Sequence, residues 1–182
     1  MLDRRTFLTG ALGASLLVSL RARARLSPLP TVRVVVDGGC RDAQAFARAC
    51  GLDDAVPHDG AALAAMLEDM RESACVGLGR DSQVFVLTRL LAPRGYRLVY
   101  EGRHNHVAGR VQHQLRGAPD DVRTLAAALS DAGKAWPRCL AAAVPRLAHA
   151  TSLEQATAHG SASLPARVEG PGLLVSWCLL RS

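Results

Sequence analysis

The side chains best suited to chemistry by type and spacing are three histidines: His104 and His106, flanking Asn105, and His113 seven positions beyond His106. On a β-strand, residues two apart project from one face. His104 and His106 would then share a side, and His113 from a paired strand would complete three nitrogen ligands for a zinc-like ion. Glu101 stands close enough in sequence to act as a base or fourth ligand. The plain alternative is that these are polar histidines in a hairpin loop. His58, His149 and His159 stand alone and read as surface residues. The five cysteines, Cys40, Cys50, Cys75, Cys139 and Cys178, contain no C-x-x-C pair, which excludes a thioredoxin-like motif and a haem attachment site. Cys40 follows Gly38-Gly39 where a helix should start, so its thiol is expected to have a lowered pKa. Cys50 would end that helix about 15 Å away, too far for a disulfide. No G-x-S-x-G serine motif is present.

A second candidate is Val76-Gly77-Leu78-Gly79-Arg80-Asp81-Ser82, followed by an apolar helix, a strand and Glu101. It resembles the Rossmann dinucleotide fingerprint. There, glycines turn a strand tightly into a helix whose N-terminus holds a pyrophosphate, and an acid about 20 residues on takes the ribose hydroxyls. Gly77 and Gly79 match the first two glycines and Glu101 the acid; Ser82 replaces the third glycine. The resemblance implies a nucleotide-dependent oxidoreductase. A simpler form of the same physics is an anion site, in which Arg80 and the free N–H groups at the Asp81/Ser82 helix start hold a carboxylate or phosphate. The competing role for Asp81 or Ser82 is to cap their own helix.

These residues need a scaffold, and the sequence describes an α/β one. Val32–Val36 is a β-branched run stopped by Asp37-Gly38-Gly39. Ala43, Phe46, Ala47 and Cys50 then line one helical face that ends at Gly51. Asp59-Gly60 leads into a second helix with Leu63, Met66, Leu67 and Met70 on one side. The methionines there read as core packing. Ala74-Cys75-Val76 reads as a short strand. Val84, Leu87 and Leu91, joined by Phe85, Val86 and Leu90, predict a helix apolar on nearly all sides and buried against a sheet. Tyr96–Glu101 and Val107–Leu115 alternate as strands, with 102–106 as their connection, and predict a hairpin at the sheet edge. Val107, Val111, His113 and Leu115 fall on one face, Arg110, Gln112, Gln114 and Arg116 on the other. Pro119-Asp120-Asp121 and Gly133 bracket a helix with Val122, Leu125 and Leu129 inward, and another starts near Pro137. Thr151–Gly172, rich in small and polar residues, reads as a long surface loop, and Leu173–Leu180 as a last buried strand. The fold class predicted is α/β: a single three-layer domain with a mixed sheet flanked by helices.

The N-terminal 24 residues form no part of that domain. Arg4 and Arg5 precede an uncharged run from Leu8 to Leu20, and Ala22 and Ala24 form an A-x-A end. Thirteen apolar residues are too few to span a bilayer, so the segment reads as a secretory signal peptide cleaved after Ala24, leaving no membrane anchor. Asp3-Arg4-Arg5-Thr6-Phe7-Leu8 resembles the twin-arginine translocation motif at Arg4, Arg5, Phe7 and Leu8. That resemblance implies the twin-arginine translocase as a partner and export, already folded, to the bacterial periplasm. Of the 182 residues, 158 then remain as one domain, residues 25–182. The leader carries four arginines and one aspartate, so its removal lowers the net charge of +6 by three, to +3. The case for a nucleic-acid partner largely disappears with it. What the sequence favours is a periplasmic binding or accessory protein that holds a small anionic ligand or a partner protein near Gly77–Ser82. The alternative is an enzyme, either a dinucleotide-dependent oxidoreductase or a metal-dependent hydrolase. The sequence names no cofactor.

Overall fold

A computed structural model describes residues 31–51, 56–57, 60–149, 154–164 and 172–182. The leader, His58, Asp59 and, within the expected 151–172 loop, residues 151–153 and 165–171 lie outside the described residues. Seven strands form one mixed sheet: β1 (Val32–Val36), β2 (Val56–Pro57), β3 (Ala74–Gly79), β4 (Tyr96–Val107), β5 (Arg110–Gly117), β6 (Ala156–Ser163) and β7 (Leu173–Arg181). Their spatial order is β2-β1-β3-β7-β4-β5-β6. β1 runs parallel to β2 and β3, and every other pairing is antiparallel. The helices are α1 (Arg41–Ala49), α2 (Gly60–Asp69), α3 (Asp81–Leu91), α4 (Pro119–Ala132) and α5 (Trp136–Leu147). None is long and apolar enough to cross a membrane.

The α/β class holds, and the layers follow from strand alternation. Val34, Val36, Val76, Leu78 and Cys178 face α1, α4 and α5. Val35, Cys75, Val175, Trp177 and Leu179 face α2 and α3, where Met66 and Met70 pack as expected. The predicted α1 and α4 faces are the buried ones: Ala43, Phe46 and Ala47 in the first, Val122, Leu125 and Leu129 in the second.

Four local expectations are corrected. Within 151–172, residues 156–163 form strand β6 on the outer side of β5. The hairpin is therefore not at the edge. Its inward residues are Ala158, Gly160 and Ala162, too small to leave a hydrophobic period, because α4 approaches the strand closely. A Cβ on Gly160 would sit 2.6 Å from the Ala126 carbonyl oxygen. The 102–106 connection does not exist either, since β4 continues through it to Val107 and the turn is Ala108-Gly109. Finally, α3 buries Val84, Leu87 and Leu91 but leaves Phe85 62% exposed, with Val86 and Leu90 also outward.

The two-residue turn has positive φ at both positions, 47° at Ala108 and 72° at Gly109, the form that matches strand twist and favours Asn-Gly. Ala108 is the one non-glycine residue with positive φ among the described residues, and its Cβ is disfavoured there. Ala108→Asn should therefore stabilise the fold by about 0.5–1 kcal/mol, read as a rise of about 2 °C in Tm. An unchanged or lower Tm would count against this turn.

Candidate functional site

Two parts of the sheet gather the polar side chains singled out above, one inside the core and one on its open face. The inner part is fixed by register. Gly102 on β4 pairs with Ser176 on β7, and His104 pairs with His113 on β5. Alternation then places Tyr100, Gly102, His104 and His113 on the side covered by α5. There Ser176 Oγ lies 2.8 Å from His104 Nε2 and 3.1 Å from the Tyr100 hydroxyl, and His104 Nδ1 lies 2.7 Å from His113 Nδ1. These four groups form one continuous hydrogen-bonded chain joining three strands. Trp136 closes over it, with its ring centroid 4.5 Å from that of His104 and 5.4 Å from that of His113. No member of the chain exceeds 2% exposure. Gly102 is part of the design: a Cβ there would stand 2.5 Å from both the Ser176 and the Tyr100 oxygens.

The Nδ1–Nδ1 bond needs one donor and one acceptor, which two neutral rings supply when they hold opposite tautomers. Burial holds His104 well below the usual imidazole range, reinforced by His113 and His106. Burial likewise brings His113 down to about 4. Tyr100 is pushed upward by burial. His106 points the same way, beside Trp136, with Nε2 3.3 Å from an Asp42 carboxylate oxygen. The three histidines thus share a face as expected. Their nitrogens, however, do not converge: two of them bond each other, and the described residues contain no group of three His, Cys, Asp or Glu arranged to hold a metal ion. The chain has the connectivity of a nucleophile, a base and an orienting group, Ser176–His104–His113. Sealed under Trp136, it acts as a polar clamp between strands.

The glycine motif is also resolved. Gly77 and Gly79 lie inside β3, not in a turn. Gly77 leaves room for Trp177, whose ring would be 2.2 Å from an added Cβ. Gly79 admits Gln83, whose Oε1 accepts the Arg80 backbone N–H at 3.0 Å. Gln83 therefore does the capping expected of Asp81 or Ser82. Arg80 donates to Asp37 at 3.1 Å, and Asp81 adds a negative charge to the helix start. Glu101 lies on the same rung as Gly77, but antiparallel β7 separates them, with Trp177 between. In the dinucleotide fingerprint the acid ends the next parallel strand, so the likeness stops at the letters. Cys40 departs from expectation too: the thiol is buried and raised. All five cysteines are free, and burial pushes Cys75 and Cys178 up to about 12.

The outer part was legible only as alternation. On the side away from α4 and α5, β4, β5 and β6 carry a groove of about 600 Å³ lined by Arg103, Asn105, Gln112, Gln114, His159 and Ser161, among others. The register sets them in rungs: Arg103, Gln114 and His159 across one, Asn105, Gln112 and Ser161 across the next. Glu101 accepts from Arg103 Nε at 3.0 Å, and Ser161 accepts from Arg110 Nε at 3.1 Å. None of the expected ligand residues Gly77, Gly79, Arg80, Asp81, Ser82 and Glu101 lines this groove; Glu101 adjoins it through its bond to Arg103.

Comparison with known proteins gives no relative: no family model, no curated protein and no solved structure matches the chain.

Two measurements test the inner chain. The folded state holds His104 and His113 neutral, whereas an unfolded histidine titrates near 6.5. Their contribution is therefore full above pH 6.5 and is lost as pH falls toward about 4. Urea unfolding should lose about 2–3 kcal/mol per pH unit at its steepest, and the slope should halve in His113→Asn. A pH-independent midpoint over this range would exclude buried neutral rings. Gly102→Ala, which drives a methyl into the junction, should cost about 3 kcal/mol by the same assay.

Proposed function

We propose that this is an exported bacterial periplasmic protein that binds a small anionic ligand on the open polar face of its sheet. The observation that carries this reading is the groove over β4, β5 and β6. Apart from Leu173, its outward side chains are hydrogen-bonding groups in register, with Arg103 in the lining and Arg110 beside it on Ser161. Antiparallel sheets often leave one face to water. What supports binding here is the state of the arginines. Arg103 and Arg110 are each anchored at Nε by a neighbour, which limits the side-chain entropy lost when their terminal nitrogens meet a ligand.

The anionic class was expected from the sequence near Gly77–Ser82; the present reading puts it on the open face instead. At the start of α3, Arg80 donates to Asp37 and Asp81 adds a second negative charge beside it, which opposes an anion there. On the open face Arg103, Arg110 and Arg116 stand along β4 and β5, with Glu101 bonded to Arg103 and Asp81 near enough to act on it. Export rests on Arg4, Arg5, Phe7 and Leu8 with the Ala22 and Ala24 end, through the twin-arginine translocase.

Thermal unfolding of the purified protein in sulfate, phosphate, acetate or citrate, against chloride at matched ionic strength, checks the binding reading. At about 100 times its Kd a bound anion adds about 2.7 kcal/mol, an increase of about 5–10 °C in Tm. If none of these anions nor a larger acid raises Tm, the reading fails. Export is checked by fractionation: Arg4→Lys with Arg5→Lys should leave the precursor in the cytoplasm. Normal processing of that double variant would assign export to another route.

A further inference from the structure

The ligand's shape and chemistry follow from how the charges and amides are spaced, an argument that rests on the open face being a binding site. Arg103 pairs across β4 and β5 with Gln114, and Arg110 lies four residues before Gln114 on β5. At about 3.4 Å per strand residue the two arginine positions are about 14 Å apart along the strands. Between them runs the rung of Leu173, Asn105, Gln112 and Ser161. An amide is both donor and acceptor, so Asn105 and Gln112 match groups that also donate and accept, as hydroxyls do. An apolar spacer laid there would strip water from two amides without replacing their hydrogen bonds. A single small carboxylate would reach one arginine and leave the other unused.

We infer that the groove takes an extended acidic saccharide, an oligomer of uronic-acid type. Its carboxylates meet Arg103 and Arg110, and the hydroxyls between them meet Asn105 and Gln112. The groove, at about 600 Å³, has room for two or three sugar units. The Nε anchors on Glu101 and Ser161 turn each guanidinium into a fixed fork, the geometry that suits carboxylates.

Isothermal titration of the purified protein with trigalacturonate, its methyl ester, neutral maltotriose, citrate and inorganic phosphate tests this. The expected result is binding of trigalacturonate with at least tenfold loss for the ester and for maltotriose. Arg103→Ala and Arg110→Ala should each weaken trigalacturonate about tenfold. Gln112→Leu should weaken it severalfold while leaving phosphate unaffected. All three side chains are exposed, and an unchanged Tm confirms that each variant is folded. If citrate or phosphate binds as tightly as trigalacturonate and Gln112→Leu has no effect, the saccharide is wrong and a simple anion site stands. If maltotriose binds as well as trigalacturonate, the acidic class is wrong. If no anion binds, both this inference and the binding function fall.

Discussion

The sheet depends on where its last strand lies. β7 is the final element of the chain, yet it occupies the middle of the sheet, pairing with β3 on one side and β4 on the other. Without it the parallel β2-β1-β3 unit and the antiparallel β4-β5-β6 unit share no strand. Its alternation also serves both cores at once, with Leu174, Ser176 and Cys178 on one side and Val175, Trp177 and Leu179 on the other. A slip of one residue would send Trp177 into the histidine layer and Ser176 against α3, so the register is defined strongly. Pairing across so long a sequence separation also makes late closure of the sheet the natural order of folding.

The hydrogen-bonded chain is the chemical expression of that constraint. Ser176, on the last strand, reaches His104 and Tyr100 on β4, and His104 reaches His113 on β5. Burying these groups in hydrocarbon would be unfavourable by several kcal/mol without partners. Paired, each contributes modestly, but misalignment leaves a buried donor or acceptor without a partner. The chain thus penalises wrong registers more than it rewards the right one. Trp136, at the first turn of α5, supplies the apolar lid that keeps water out.

This layered view shows which parts of the fold were readable from the residues. α1 and α4 were, because a 3.6-residue apolar period and end signals such as Gly51 and Pro119 agree with where burial occurs. β6 was not, because α4 packs so tightly on it that Ala158, Gly160 and Ala162 replace the branched residues that mark a strand. The glycines of β3 misled for a related reason. Gly77 and Gly79 make room for Trp177 and Gln83, and close packing writes the same letter as a phosphate-binding turn. The histidines were placed on a common face correctly, but spacing carries no information on which nitrogen faces which. The open face was visible in the alternation of Arg110, Gln112, Gln114 and Arg116; its extent came only with β6.

The coverage of the sheet explains why the open polar face lies where it does. α2 and α3 follow β2 and β3, so right-handed crossovers lay them on one face of the parallel half and its neighbour β7. β4 and β5 are joined by two residues, which leaves no chain to build a helix over their outer side. α4 and α5 then follow β5 and pack on the opposite face, closing the histidine layer. The polar side of β4, β5 and β6 is left open by topology, and its sequence matches that exposure with arginine and amides. The same connectivity that seals Ser176 away from solvent therefore presents Arg103, Asn105 and Gln112 to it. The second group is the one a ligand can reach, and the first holds the strands that set its spacing.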